Sequence, residues 1–190
     1  NGGTKEQFEE MIEKAEVFQD KTKPLPLSPI TMDELRKVFE KYLYFEDYNV
    51  IDVVFGAIII NRSNIDPVWL FLVDTPSSGK TEILRSFQDC EDTILVSSLT
   101  AQSLTSGKTK PKNFNTPKDP SLFAQIDGRI LIVKDFTTIL SLRSEDQNKI
   151  FSQMRDSYDG FYDAKYGMEG GVFRYKTHYG FIGGVTLAID

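Results

Sequence analysis

VWLFLVDTPSSGKTEIL, residues Val68 to Leu84, decides the reading of this chain, because an apolar run breaks into Pro-Ser-Ser-Gly-Lys-Thr and then resumes with helical character. It reads as strand, phosphate-binding loop, helix. In that layout successive backbone N–H groups turn inward to form an anion nest, and the next helix points its positive end at the same phosphates. Pro76, Ser77, Ser78, Gly79, Lys80 and Thr81 form the candidate nucleotide cradle. Lys80 would reach the β- and γ-phosphates, the Thr81 hydroxyl would ligate Mg²⁺, and Gly79 permits close approach. The full pattern G-x-x-x-x-G-K-[ST] asks for glycine at position 74, where this chain has Asp74. A carboxylate there is unfavourable near phosphate unless it turns away or a cation intervenes.

A 190-residue chain that is 40% hydrophobic and 12% aromatic can bury one good core. Cys90 is the one cysteine and His178 the one histidine, so an internal disulfide, a zinc cluster of cysteines and a histidine-rich metal site are excluded. No apolar stretch approaches a membrane span, and NGGTKEQFEE at the start lacks the regions of a signal peptide. The expectation is a cytoplasmic protein with no membrane partner. A formal charge of −6 argues against a surface coated for nucleic acid, yet Lys108, Lys110, Lys112 and Lys118 gather in SGKTKPKNFNTPK without an acid. That segment is a solvated loop or one that touches a polyanion.

Three regions follow along the chain. Residues 1–30 hold an amphipathic helix over 4–19, with Phe8, Met11, Ile12, Ala15 and Phe18 near one face, and a linker in which Pro24, Pro26 and Pro29 forbid helix. Residues 31–64 form a helical prefix. There Thr31 and Glu34 make a capping-box signature for a helix carrying Leu35, Val38, Phe39, Tyr42 and Leu43. A third helix over 49–62 presents Val50, Val53, Val54, Ala57, Ile58 and Ile60, a largely apolar and hence buried surface. Residues 65–190 form the core: WLFLV, TILVSS, RILIVKD and YGFIGGVT read as parallel strands joined by crossovers, with helices from Lys80 to about Gln88 and from about Glu145 to Tyr158. The fold class is α/β, a P-loop parallel sheet with flanking helices. Between 161 and 176, alternating aromatic and polar residues around Gly167, Gly170 and Gly171 signal a β-hairpin, which would be decorative or would carry Lys165, Arg174 or Lys176 toward a substrate.

A phosphate loop works with a carboxylate at the end of a neighbouring strand, and ILIVKD supplies Asp135, 55 residues beyond Lys80, as the candidate Mg²⁺ partner. The next residue is Phe136, where many such ATPases place a water-polarising glutamate. Asp135 itself with Lys134 before it, Glu82, Thr137 or a neighbouring subunit could orient water instead. Thr186 breaks the apolar run GFIGGVTLAID at the same sheet edge and either senses the γ-phosphate or caps the strand end.

In this order PSSGKTE, ILIVKDFTTILSLR, QMRDSYDGFY and GFIGGVTLAID resemble the ATPase core of AAA+ proteins, with the nearest likeness to helicase-like ATPases of phages and mobile elements related to superfamily 3 helicases. The resemblance covers about Ile65 to the end. It implies an ASCE-type parallel sheet, ATP with Mg²⁺, assembly into a homo-oligomeric ring, and action on nucleic acid, DNA above all. It maps the loop lysine and threonine to Lys80 and Thr81, the strand-end acid to Asp135 and the sensor to Thr186. It also implies that the hairpin projects into the ring pore and that Arg143 or Arg155 is a candidate arginine finger. Asp74, Phe136 and the absence of a lid after Asp190 depart from the pattern. A non-hydrolysing, nucleotide-binding assembly module is the alternative reading, with a small-molecule phosphotransferase behind it.

Overall fold

The computed structural model describes residues 29–63, 65–105, 121–166 and 171–187, with backbone alone at 164–166 and 171–175. The helix expected over 4–19, nearly all of its linker, and Lys108 to Lys118 lie outside the described residues. The chain divides into two units, Asn1–Thr31 and Met32–Asp190, and the elements described next belong to the second. They are α1 (Met32–Tyr42), α2 (Asn49–Asn61), β1 (Trp69–Asp74), α3 (Lys80–Arg85), β2 (Thr93–Val96), α4 (Ala101–Thr105) and α5 (Leu122–Ile126). After these come β3 (Ile130–Val133), α6 (Thr137–Leu140), α7 (Ser144–Tyr158), β4 (Phe161–Tyr166), β5 (Gly171–Lys176) and β6 (Gly180–Thr186).

Four strands form one parallel sheet in the order β1-β6-β3-β2, and β4 pairs antiparallel with β5 as a separate hairpin. The last strand in sequence is therefore inserted between the strand that feeds the phosphate loop and the strand that ends before Asp135. Because the strands are parallel, the loop after β1, the turn after β3 and the end of β6 all emerge at one edge. Central β3 reads ILIV and is buried throughout, as expected of a strand covered on both faces. The shorter helices α4, α5 and α6 have no counterpart in the sequence reading, since four or five residues are too few to show a period.

Two apolar clusters sandwich the sheet. On one face Leu131, Val133 and Phe181 meet Phe123, Ile126, Ile139, Ile150 and Met154 from the helices. On the other Ile130, Ile132, Ile182 and Leu72 meet Ile51, Val54 and Ile58 of α2 and Ile83 and Leu84 of α3. Each such fully buried side chain contributes about 1.5–3 kcal/mol relative to exposure. Helix α1 joins the second cluster through Leu35 and Phe39. An Arg36–Asp52 ion pair ties α1 to α2 and holds the Asp52 carboxyl below its usual range. The apolar surface of α2 is only partly buried: Ile51, Val54, Ala57 and Ile58 face the sheet, while Val53 is 53% and Ile60 40% exposed. A helix packed on one layer has a single inward side, whatever its composition.

Candidate functional site

The loop between β1 and α3 gets its shape from two left-handed residues, Ser77 (φ 61°) and Gly79 (φ 84°). Glycine adopts that conformation without steric cost, whereas serine does so rarely, and alternation of left- and right-handed residues turns successive N–H groups to one side. Space also demands glycine at 79. A Cβ built there would lie 2.7 Å from the Phe45 ring.

Lys80 opens α3 and folds its ammonium back over the loop. Nζ donates to the carbonyls of Asp74 (3.0 Å) and Thr75 (2.6 Å) and to the Ser78 hydroxyl (3.0 Å). Those are its three donors. The two carbonyls belong to the strand end and the loop start, so the lysine clips the loop closed. The serine contact is the one a phosphate oxygen can take over without opening the clip.

Asp74, the departure from the glycine pattern, is taken up by hydrogen bonds and charge within the loop itself. Its Oδ1 accepts from the Thr75 backbone N–H at 2.7 Å. That bond, the Ser78 hydroxyl and the Lys80 charge hold its carboxyl below the usual range. The side chain braces the start of the loop.

At the neighbouring strand ends, Asp135 is exposed, and one carboxylate oxygen accepts from Thr137 N–H at 3.1 Å. The Thr137 hydroxyl accepts from the Thr186 backbone N–H at 2.7 Å. Thr186 in turn pairs with Asp74 across β1 and β6. Loop, acid and sensor position thus stand side by side along one edge, separated by the strand spacing of about 4.8 Å per step. Gly184 lets β6 approach this turn, since a Cβ there would lie 2.5 Å from the Lys134 carbonyl.

Phe136 occupies the position after the acid and is 3% exposed. Its ring packs against Phe71 (5.1 Å between centroids), Phe181 (5.5 Å) and Phe151 (6.2 Å). The side chain at 136 is a core residue, held inward by an aromatic cluster, and cannot reach solvent. Among the described residues no three acidic, histidine or cysteine side chains form a metal cluster. Mg²⁺ needs none, because it uses one or two protein ligands together with phosphate and water. The exposed Thr81 and Asp135 fit that demand.

Beside the loop lies a cavity of ≈ 840 Å³. Tyr44, Phe45 and Asp47 before α2, Val50 and Val53 on α2, and the loop residues Ser77, Ser78 and Lys80 contribute to its wall. Its size suits a nucleotide-sized ligand. The contribution of Tyr44 and Phe45 escaped the sequence reading, because a six-residue connection carries no period and its contact with Gly79 spans more than thirty positions.

The hairpin residues stand elsewhere. Backbone pairing sets Lys165 across from Val172, Arg174 across from Asp163 and Lys176 across from Phe161. Lys176 is exposed, and the side chains of Lys165 and Arg174 lie outside the described residues. The hairpin leads into the amino end of β6, whereas Thr186 closes its carboxyl end. Seven residues of strand, about 20 Å, separate the two edges. Arg143 precedes α7 and Arg155 lies in its last turn, both exposed.

A parallel β1-β6-β3-β2 sheet with flanking helices and a lysine-clipped loop after β1 is a P-loop NTPase-like fold. No family model and no curated protein matches the sequence. Among solved structures the chain is similar to NtrX from Brucella abortus in complex with ADP, at 15% identity and a TM-score of 0.46. That likeness covers 82% of this chain and 33% of NtrX. No helix among the described residues is long and apolar enough to cross a membrane.

Proposed function

We propose that this chain binds ATP through the 74–81 loop and hydrolyses it as the core of an AAA+-like, helicase-like motor that acts on nucleic acid. The observation that carries the nucleotide reading is the Lys80 clip over a left-handed loop, set in one sheet edge with Thr186 and Asp135. Pro76 to Thr81 hold the phosphates, and the cavity beside Tyr44 and Phe45 takes base and ribose. Thr81 and Asp135 would hold Mg²⁺, which neutralises charge on the transferring phosphoryl group. Thr186 faces the γ-phosphate position from the middle strand. The nucleic-acid and ring-assembly parts rest on the resemblance and on the basic hairpin residues Lys165, Arg174 and Lys176. DNA is the favoured polyanion.

The test is Mg²⁺-dependent ATP binding and phosphate release by this chain and by Lys80→Ala. Binding and release that vanish together in the variant support the motor; equal ATP affinity in both proteins refutes the site. Phe136 favours a second reading, since a buried phenylalanine stands where the usual water-polarising carboxylate would be. In that reading ATP is an assembly signal. Nucleotide-dependent oligomerisation without phosphate release would support it, and turnover would eliminate it. Action on DNA is tested by binding of a single-stranded oligonucleotide at increasing salt, where affinity should fall.

A further inference from the structure

The turn after β3 is stitched to β6 in an unequal way. Backbone pairing between the two strands ends at Val133 and Gly183. One residue further along β6, the Gly184 carbonyl still accepts from Phe136 N–H at 2.7 Å. At Thr186 the acceptor is no longer backbone but the Thr137 hydroxyl. On its other side the end of β6 remains in the ordinary ladder, with Leu187 N–H donating to the Asp74 carbonyl at 3.0 Å. Thr186 is thus held toward the phosphate loop by main chain and toward Asp135 by a single side chain.

The same residue also fixes the acid. Thr137 N–H donates to the Asp135 carboxylate, and the Thr138 hydroxyl donates to the Asp135 carbonyl at 2.8 Å. Burial of Phe136 anchors this turn to the core. The Thr137 hydroxyl accepts through one lone pair and keeps its own proton for donation. A hydroxyl bond of this kind can form or break without unzipping the sheet. We propose, building on the nucleotide reading above, that Thr137 is a positioning residue that couples the Asp135 carboxylate to the sensor position at Thr186.

The experiment compares wild type, Thr137→Val, Thr137→Ser and Lys80→Ala in three measurements: affinity for Mg²⁺-ATP, steady-state phosphate release, and thermal melting. Valine keeps the shape and removes the hydroxyl; serine keeps the hydroxyl. The expected result is a Thr137→Val protein that binds within about twofold of wild type yet releases phosphate roughly tenfold more slowly, with Thr137→Ser restored to near the wild-type rate. Unchanged turnover in Thr137→Val overturns the proposal. So does a Thr137→Ser protein as slow as the valine variant, or a loss of binding that tracks a lowered melting temperature, because the hydroxyl then only holds the strand. Wild type that binds ATP in a Lys80-dependent way but releases no phosphate overturns the coupling and leaves the nucleotide site standing. Wild type with no more affinity than Lys80→Ala overturns the site itself, and the coupling with it.

Discussion

The two edges of this sheet use the same residue types to opposite ends. At the carboxyl edge Ser77, Ser78, Thr81 and Asp135 are half-buried or exposed, and the backbone of the loop is left-handed at two positions. At the amino edge Ser157, Thr177 and Tyr179 are at most 2% exposed and bond to one another. The Ser157 hydroxyl meets the Tyr179 hydroxyl at 2.9 Å and donates to the Met154 carbonyl at 2.7 Å, while the Thr177 hydroxyl donates to the Ser157 carbonyl at 2.6 Å. Trp69 Nε1 adds a bond to the Tyr179 carbonyl, and burial pushes the Tyr179 phenol above its ordinary range. A hydroxyl with buried, satisfied partners fixes geometry; one at a solvent edge keeps capacity for a ligand. The hairpin is rooted in the first kind of edge, the phosphate loop in the second.

That contrast is broken most forcefully at Phe136, a carboxyl-edge position next to the acid that belongs to the core. Phe136→Ala should destabilise the fold by about 3–5 kcal/mol, read from denaturant unfolding. A loss below about 1 kcal/mol would mean that the aromatic cluster does not anchor the turn. Lys80→Ala should act on the ligand rather than the fold. Removing a charged partner of phosphate lowers ATP affinity roughly 10- to 100-fold, measured by titration, with a small change in unfolding free energy.

Tyr179→Phe probes the amino edge by deleting one buried hydroxyl, and about 1 kcal/mol of stability should go with it while ATP affinity stays put. A fall in ATP affinity would show that the edges communicate along β6. Lys176→Ala should leave unfolding and ATP affinity alone and reduce the salt slope of oligonucleotide binding by roughly one charge.

The smallest effect concerns pH. Asp74, Asp52 and Asp92 all have carboxyl pKa values below the ordinary range, through the Thr75 N–H, Arg36 and Arg62 respectively. A depressed folded-state value contributes stability above the unfolded value near 4, lost as pH falls through the folded value. Melting temperature should therefore decline on acidification below about pH 4, and Asp74→Asn should flatten part of that decline. An unchanged profile in Asp74→Asn would separate the loop brace from acid stability.

Much of this was legible in the chain. Strand, loop and helix at 68–84 announce themselves through local patterns, because an apolar run and a Gly-Lys-Thr step need only near neighbours to be read. The helices of the prefix, the strand around Ile130 and the hairpin at 161–176 also follow from short periods. Asp74 was visible as a departure, but its hydrogen-bond partners were not. Its bonding to Thr75 and Ser78 is a matter of rotamer and local hydrogen bonding that composition cannot express.

What residues near one another in sequence determine is which segments become strands, helices and turns, and which side chains could meet phosphate or metal. Only tertiary structure decided that β6 slips between β1 and β3, for strand order is set by pairing across more than a hundred residues. That insertion puts Thr186 between Asp74 and the Asp135 turn, sends Phe136 into an aromatic core drawn from β1, β6 and α7, and leaves the hairpin at the far edge. Local periodicity fixes the pieces, and the burial of two apolar faces at once fixes their neighbours.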